Sequence, residues 1–192
     1  ACLTVAQLNA VQETFRGRMT PIADLVLLLR SVKSAEEIKT IRSASELAEE
    51  VLADVTEDLH IGITERELAA EFEYEFRSRG ADGAAFETIA LFGPRSSQPH
   101  GKPGDKPLEP GDIVLLDLGC RKDGYCSDLT RTYVFGRMPE TWFCEIYDLV
   151  LHAQRSAIEA VRPGACCRGI DAVARDIITT AGHGNHFGHG LG

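Results

Sequence analysis

Asp112-Ile-Val-Leu-Leu-Asp117-Leu-Gly-Cys-Arg-Lys-Asp-Gly-Tyr-Cys-Ser-Asp128-Leu-Thr-Arg-Thr-Tyr-Val-Phe135 is the stretch that decides the fold. Both ends are rich in β-branched and apolar residues, and Arg121-Lys-Asp-Gly124 between them has the composition of a tight turn. The stretch therefore reads as a β-hairpin of strands 112–118 and 125–135. Taking Lys122 and Asp123 as the turn centre pairs Asp117 directly with Asp128, with Cβ atoms about 4.5–5.5 Å apart on one face. Asp117 follows Ile113-Val-Leu-Leu116 and precedes Leu118, a run apolar on both faces and so expected to be buried.

Two facing carboxylates repel, and a buried one must be paired, protonated or bound to a metal. One aspartate could carry a proton, arginines could neutralise the pair, or one or two divalent cations could lie between them. Carboxylate oxygens suit Mn, Mg, Co, Fe or Zn. The same register puts Cys126 on the aspartate face opposite Gly119 and Cys120 on the other face. A disulfide between them is thus disfavoured, and Cys126 is expected to be a small packed thiol.

Upstream, Ser34-Ala-Glu-Glu37 and Thr64-Glu-Arg-Glu67 are capping boxes. The first opens a helix reaching about residue 59, with Ile38, Ile41, Ala44, Leu47, Ala48, Val51, Val55 and Leu59 on its apolar face. The second opens a helix with Leu68, Phe72 and Phe76 inside and Gly80 after its end. Phe86 to Phe92 reads as a strand, and 93–111 as a Pro/Gly-rich loop. Downstream, a long helix starts near Pro139 and ends at Pro163-Gly164, and a shorter one spans about 168–181. Shifting the chain by 102 residues lays Gly62 on Gly164, Gly80 on Gly182, and apolar positions on apolar positions throughout these helices. If this echo is a real repeat, the sheet of the second copy is missing. Residues 1–33 differ: Thr4-Val-Ala-Gln7 is a third capping box, Val5, Leu8, Val11 and Phe15 suit one helix face, and Pro21 breaks the pattern. Leu25 to Leu29 reads as a short buried strand or a helix start. This segment is expected to be a connector or the tail of another domain.

Lys and Arg number 20 against 29 Asp and Glu, a formal charge of −9, with no compensating basic stripe. That balance argues against nucleic acid or an anionic membrane as partner. No apolar run approaches the roughly 20 residues of a membrane span. The six cysteines form no CxxC pair, which suits reduced thiols in a cytoplasmic protein. His100 sits in Gln98-Pro-His-Gly-Lys-Pro103, just upstream of the aspartate strand. His183, His186 and His189 punctuate a glycine-rich end, and a histidine arriving near the aspartates would complete a mixed site. His60 and His152 read as surface or core fillers.

Taken together, Leu29-Arg-Ser-Val-Lys-Ser34-Ala-Glu-Glu-Ile38, Gln98-Pro-His-Gly101, Gly111-Asp-Ile-Val-Leu-Leu-Asp117-Leu-Gly119, Gly124-Tyr-Cys-Ser-Asp128-Leu-Thr-Arg131, Ala153-Gln154 and Phe187-Gly-His-Gly-Leu-Gly192 resemble the pita-bread metallopeptidases over about 34–192. The Gly-Tyr-x-Ser-Asp-x-Thr-Arg form looks like the Xaa-Pro aminopeptidase and dipeptidase (prolidase) branch. The resemblance implies an α+β fold: the first αβ half plus the helices of the second half, with the second sheet largely missing. Residues 34–192 would then be an incomplete catalytic domain. It implies two divalent metal ions (Mn, Co, Zn or Fe) sharing a bridging water and held by two Asp, one His and two Glu. Asp117 and Asp128 match the two Asp, and His100 matches a substrate-contacting His. His189 matches a second substrate-side His, its metal-binding companion falling just after Gly192; in a methionine-aminopeptidase-like wording His189 would itself be the ligand. The two Glu match nothing in 1–192. Metal in this fragment is therefore expected to be absent or partial, and the fragment inactive alone. The expected partner is a peptide with proline at its second position, and a homodimer is expected. The alternatives are a methionine-aminopeptidase-like hydrolase, a non-catalytic pita-bread binding protein, which would lose ligands, and a creatinase-like hydrolase, which would need no metal; the intact aspartates count against the last two.

Overall fold

The computed structural model describes residues 3–20, 22 and 25–191. The break read at Pro21, the thiol of Cys2 and the terminal Gly192 lie outside the described residues. The chain forms α1 (Val5–Thr14), α2 (Leu25–Ser31), α3 (Ala35–Glu57), α4 (Glu65–Ser78), β1 (Gly83–Ala84), β2 (Ile89–Phe92), β3 (Ile113–Leu118), β4 (Cys120–Lys122), β5 (Tyr125–Cys126), β6 (Leu129–Val134), α5 (Thr141–Ala160) and α6 (Cys167–Thr180). All three capping boxes form, with Thr4, Ser34 and Thr64 accepting from the backbone N–H groups of Gln7, Glu37 and Glu67. Residues 86–88 are not strand, and β2 begins only at Ile89.

The strands form two antiparallel sheets, ordered β2-β3-β6 and β1-β4-β5. The larger sheet has two unlike faces. Val114, Leu116 and Leu118 point from β3 into a core built with Ala44, Leu47, Ala48 and Val51 of α3 and Leu68, Phe72 and Phe76 of α4. Ile113, Leu115 and Asp117 alternate with them and are only half-buried. The apolar run on both faces therefore does not bury Asp117 fully: helices cover one face of the sheet, and the other is only partly covered by the described residues. The ribbon β4-β5 lies against α3, and the Tyr125 hydroxyl donates to Glu37 Oε1 at 2.7 Å, tying the hairpin tip to the start of that helix.

The turn centre is Asp123-Gly124, one residue beyond the expected centre. Lys122 pairs with Tyr125, and Asp123 and Gly124 take φ of 51° and 80°. Two left-handed residues are what a two-residue turn between twisted strands requires, and Asp-Gly supplies them where Lys-Asp would strain a long side chain. The register shifts by two as a result. Asp117 pairs with Thr130, and Cys126 pairs with Arg121 rather than Gly119. Because side chains alternate with period two, an even shift keeps every residue on its face. Cys126 is exposed instead of packed, since its three-stranded ribbon has strands of only two or three residues and no cover on that side among the described residues.

The 102-residue echo reappears as structure. α4 runs from 65 to 78 and α6 from 167 to 180, and the glycines after them, Gly80 and Gly182, both have φ of 88°. The two pairs differ in what they bury. α5 and α6 share a small cluster in which Ala153, Ala157 and Ala174 are buried, while Val150, Ile158 and Val161 remain exposed. The run from Leu25 is the helix start of the two alternatives, α2, but Val26, Leu27, Leu28 and Leu29 are exposed, so it is not a buried strand. Ile38 of α3 is likewise exposed.

Candidate functional site

On the half-covered face of the larger sheet, an open cleft of about 400 Å³ is lined by Phe86, Glu87, Ile89, His100, Gly101, Lys102, Asp117 and Asp128. Three sequence-predicted residues from three segments thus meet in one place. Asp117 comes from the central strand β3, flanked by Ile89 of β2 and Thr130 of β6. Asp128 immediately precedes β6, two residues before Thr130, the partner of Asp117, so the two aspartates that line the cleft are diagonal neighbours rather than directly opposed. Such neighbours are about 7–8 Å apart along the backbone, still within joint reach of a shared cation or pair of cations. Asp128 is exposed.

Asp117 is the more perturbed of the two. Burial pushes its carboxyl above the usual range, and the hydrogen bond from the Thr130 hydroxyl at 3.1 Å opposes this. The Asp128 charge raises it further, and His100 lowers it. The site thus holds one carboxylate at a cost that a nearby cation would remove.

The hairpin pinches where Asp128 is set. A Cβ built on Gly119 would lie 2.0 Å from the Ser127 carbonyl oxygen and 2.8 Å from its carbon. Cys120 N–H donates to Ser127 Oγ at 3.0 Å, and Ser127 N–H to the Cys120 carbonyl at 2.9 Å. Only glycine allows the strands to approach this closely.

His100 reaches the cleft on a loop outside any helix or strand, and it is exposed. Its neighbour Gly101 is buried, and a Cβ there would meet Leu91 Cδ1 at 2.6 Å, so the loop rests directly on the cleft face of β2. Lys102 and Glu87 form an exposed ion pair at the rim, 3.0 Å apart; its worth in stability is small.

His189 does not line this cleft. Its ring stacks edge-on against Phe187 at 5.3 Å, and its carbonyl accepts from Arg175 Nη2 at 2.8 Å. Arg175 also donates to the Phe187 carbonyl, grips Asp171 with two hydrogen bonds, and lies over the Phe187 ring. The Leu191 N–H closes the clamp by donating to Asp171 at 2.8 Å. The Arg175 guanidinium, with that N–H, holds the Asp171 carboxyl down at about 2. A carboxyl depressed in the folded state contributes fully above its ordinary value of 3.8, and the contribution is lost as pH falls through about 2. Acidification through that window is expected to free residues 187–191 first, read as faster exchange of the Leu191 amide. Release already above pH 3.8 would show that Asp171 does not hold the segment.

A further residue went unread in the sequence. Glu65, the first residue of α4, is fully buried and bonded to Arg95. Nothing near it in sequence distinguishes it from an ordinary acidic first-turn residue, because its partners lie about 30 and 40 positions downstream.

Among the described residues, no group of three or more His, Cys, Asp or Glu is arranged to hold a metal ion. The donor chemistry of Asp117 and Asp128 fits a hard or borderline divalent cation, and the set is incomplete for a closed site. No helix among the described residues is long and apolar enough to cross a membrane. The five described cysteines are free.

The family model for metallopeptidase family M24 matches residues 39–192. An uncharacterised peptidase of Staphylococcus saprophyticus is 43% identical over 175 residues, covering 89% of this chain and 50% of that protein. The Xaa-Pro dipeptidase of Pyrococcus furiosus is 43% identical over 171 residues, 89% of this chain and 49% of that protein. Among solved structures, an Xaa-Pro dipeptidase from Bacillus anthracis superposes with a TM-score of 0.94 at 37% identity, over 98% of this chain and 53% of that one. The chain spans about half the length of the curated relatives it matches.

Proposed function

We propose, because this chain belongs to metallopeptidase family M24, that the protein it comes from hydrolyses the bond before proline in dipeptides or at the N-terminus of longer peptides. The fold is the corresponding part of the pita-bread fold of its structural relatives. The observation that carries the reading is the meeting of His100, Asp117 and Asp128 in one open cleft.

In this reading Asp117 and Asp128 hold the divalent cations. The family implies such ions, and two of them are proposed for the whole protein. When bound, they supply Lewis acidity toward the scissile carbonyl and lower the pKa of water. Thr130 fixes the Asp117 carboxylate through its hydroxyl, so that one oxygen is oriented before any ligand arrives. The His100 imidazole can donate a hydrogen bond to the substrate carbonyl oxygen and strengthen that bond as negative charge develops there. Phe86 and Ile89 offer apolar surface for a pyrrolidine ring. His189 enters as a second substrate-positioning imidazole, carried on the segment that Arg175 clamps. Residues 1–192 alone are expected to be inactive, which the two-carboxylate donor set supports. Five free thiols support a cytoplasmic setting, and a homodimer completes the reading.

The test is alanine release by the full-length protein, with free proline as the other product from Ala-Pro and Pro-Ala as the other product from an Ala-Pro-Ala peptide. Hydrolysis is expected to vanish with a chelator and to return with added Mn. A metal-loaded full-length protein that cleaves neither peptide would overturn the assignment. One that binds them without cleavage would point to the non-catalytic binding protein.

A further inference from the structure

The buried carboxylate of Glu65 holds both ends of the loop that carries His100. Its Oε1 accepts from the Phe92 N–H at 2.9 Å, at the end of β2. Its Oε2 accepts from the Gly104 N–H at 2.9 Å, past His100. Arg95 Nε donates to both oxygens at 3.0 and 2.9 Å, and Arg95 Nη2 reaches across to the Lys102 carbonyl at 2.7 Å. One side chain with no exposed surface therefore fixes the chain before the loop, inside its first turn, and at its exit. Between these anchors Gly101 is pressed on Leu91, which leaves His100 little freedom of backbone placement. Charge-assisted bonds of this kind are the strong ones, and a buried carboxylate that lost them would be left unpaired.

We infer that Glu65, acting with Arg95, is a positioning residue for the reaction, setting His100 over the aspartate cleft by clamping residues 92–104. The inference rests on the peptidase reading above for its catalytic consequence, and on the clamp alone for its structural one. Glu65→Gln keeps the size of the side chain but turns an amide N–H toward donors, so at least one of the Phe92 and Gly104 N–H groups loses its acceptor.

The experiment uses the full-length protein, with Ala-Pro as probe, and four forms: wild type, Glu65→Gln, His100→Ala and the double variant. Glu65→Gln is expected to lower kcat/KM by about 10–100-fold, the order of loss that a misplacement near 1 Å produces. In the His100→Ala background the same change is expected to cost less than about twofold, because residues acting through one group are not additive. Multiplying effects would overturn the inference. Amide hydrogen exchange supplies an arm that needs no activity: residues 98–104 should exchange faster in Glu65→Gln, with 113–118 and 129–134 unchanged. Exchange unchanged at 98–104, or raised equally everywhere, would also overturn it. Should Glu65→Gln fail to fold, Arg95→Lys, which keeps the charge and loses the fork, carries the same two readouts. A wild-type protein inactive on Ala-Pro would defeat the peptidase reading, and the exchange arm would still decide the clamp.

Discussion

Asp117→Asn is expected to abolish hydrolysis of Ala-Pro by the full-length protein while raising, or leaving unchanged, the thermal midpoint of its metal-stripped form. The reasons are separable. Burial and the neighbouring Asp128 charge make the Asp117 carboxylate costly to ionise, and asparagine removes that cost while still accepting the Thr130 hydroxyl bond. A carboxyl whose folded value is raised loses stability as pH climbs from 3.8 through the raised value, so the wild-type apoprotein should show this decline and the variant should not. Metal affinity moves the opposite way, because one carboxylate of the pair is gone. The loss of kcat/KM should exceed the roughly 10–100-fold that an outer-sphere partner of a metal costs. Calorimetry of the stripped proteins and metal analysis of the loaded ones check both halves. A variant that is destabilised without metal, or that keeps its bound metal and its rate, would contradict the picture.

Gly119→Ala is expected to be the most damaging change that adds a single methyl group. The new carbon would sit 2.0 Å from a backbone oxygen, and no rotamer can move it away. The strands must separate between Cys120 and Ser127, which breaks the hydrogen bonds that join them and displaces Asp128 from the cleft. Overpacking of this kind costs about 1–3 kcal/mol, and the rigid backbone on the other side puts this case at the upper end. Denaturant unfolding of the full-length variant should show that loss, together with loss of proline release. Wild-type stability and rate would mean that the strands open there without penalty.

The hairpin shows how far the sequence alone could be read. Its existence, its apolar faces and the shared face of Asp117 and Asp128 follow from alternation, which has period two. The facing partner does not, because it depends on which two residues take left-handed φ. Asp123-Gly124 satisfies that demand better than Lys122-Asp123. The core helices were legible for a similar reason, their caps and spacing being local. Glu65 was not, since a buried ion pair with Arg95 is made by tertiary approach and leaves no pattern in its own neighbourhood. The depth of Asp117 was overestimated because an apolar run records what a strand can pack against, not what covers it here.

Cys120 lies one residue beyond the pinch at Gly119, fully buried, its thiol directed at the Ala44 carbonyl and made harder to ionise by burial. Cys126, across the same hairpin, is open to solvent. The ribbon therefore carries its own gauge for labelling chemistry: an alkylating reagent reaches Cys126 directly, and reaches Cys120 only when α3 lifts from the strands beneath it.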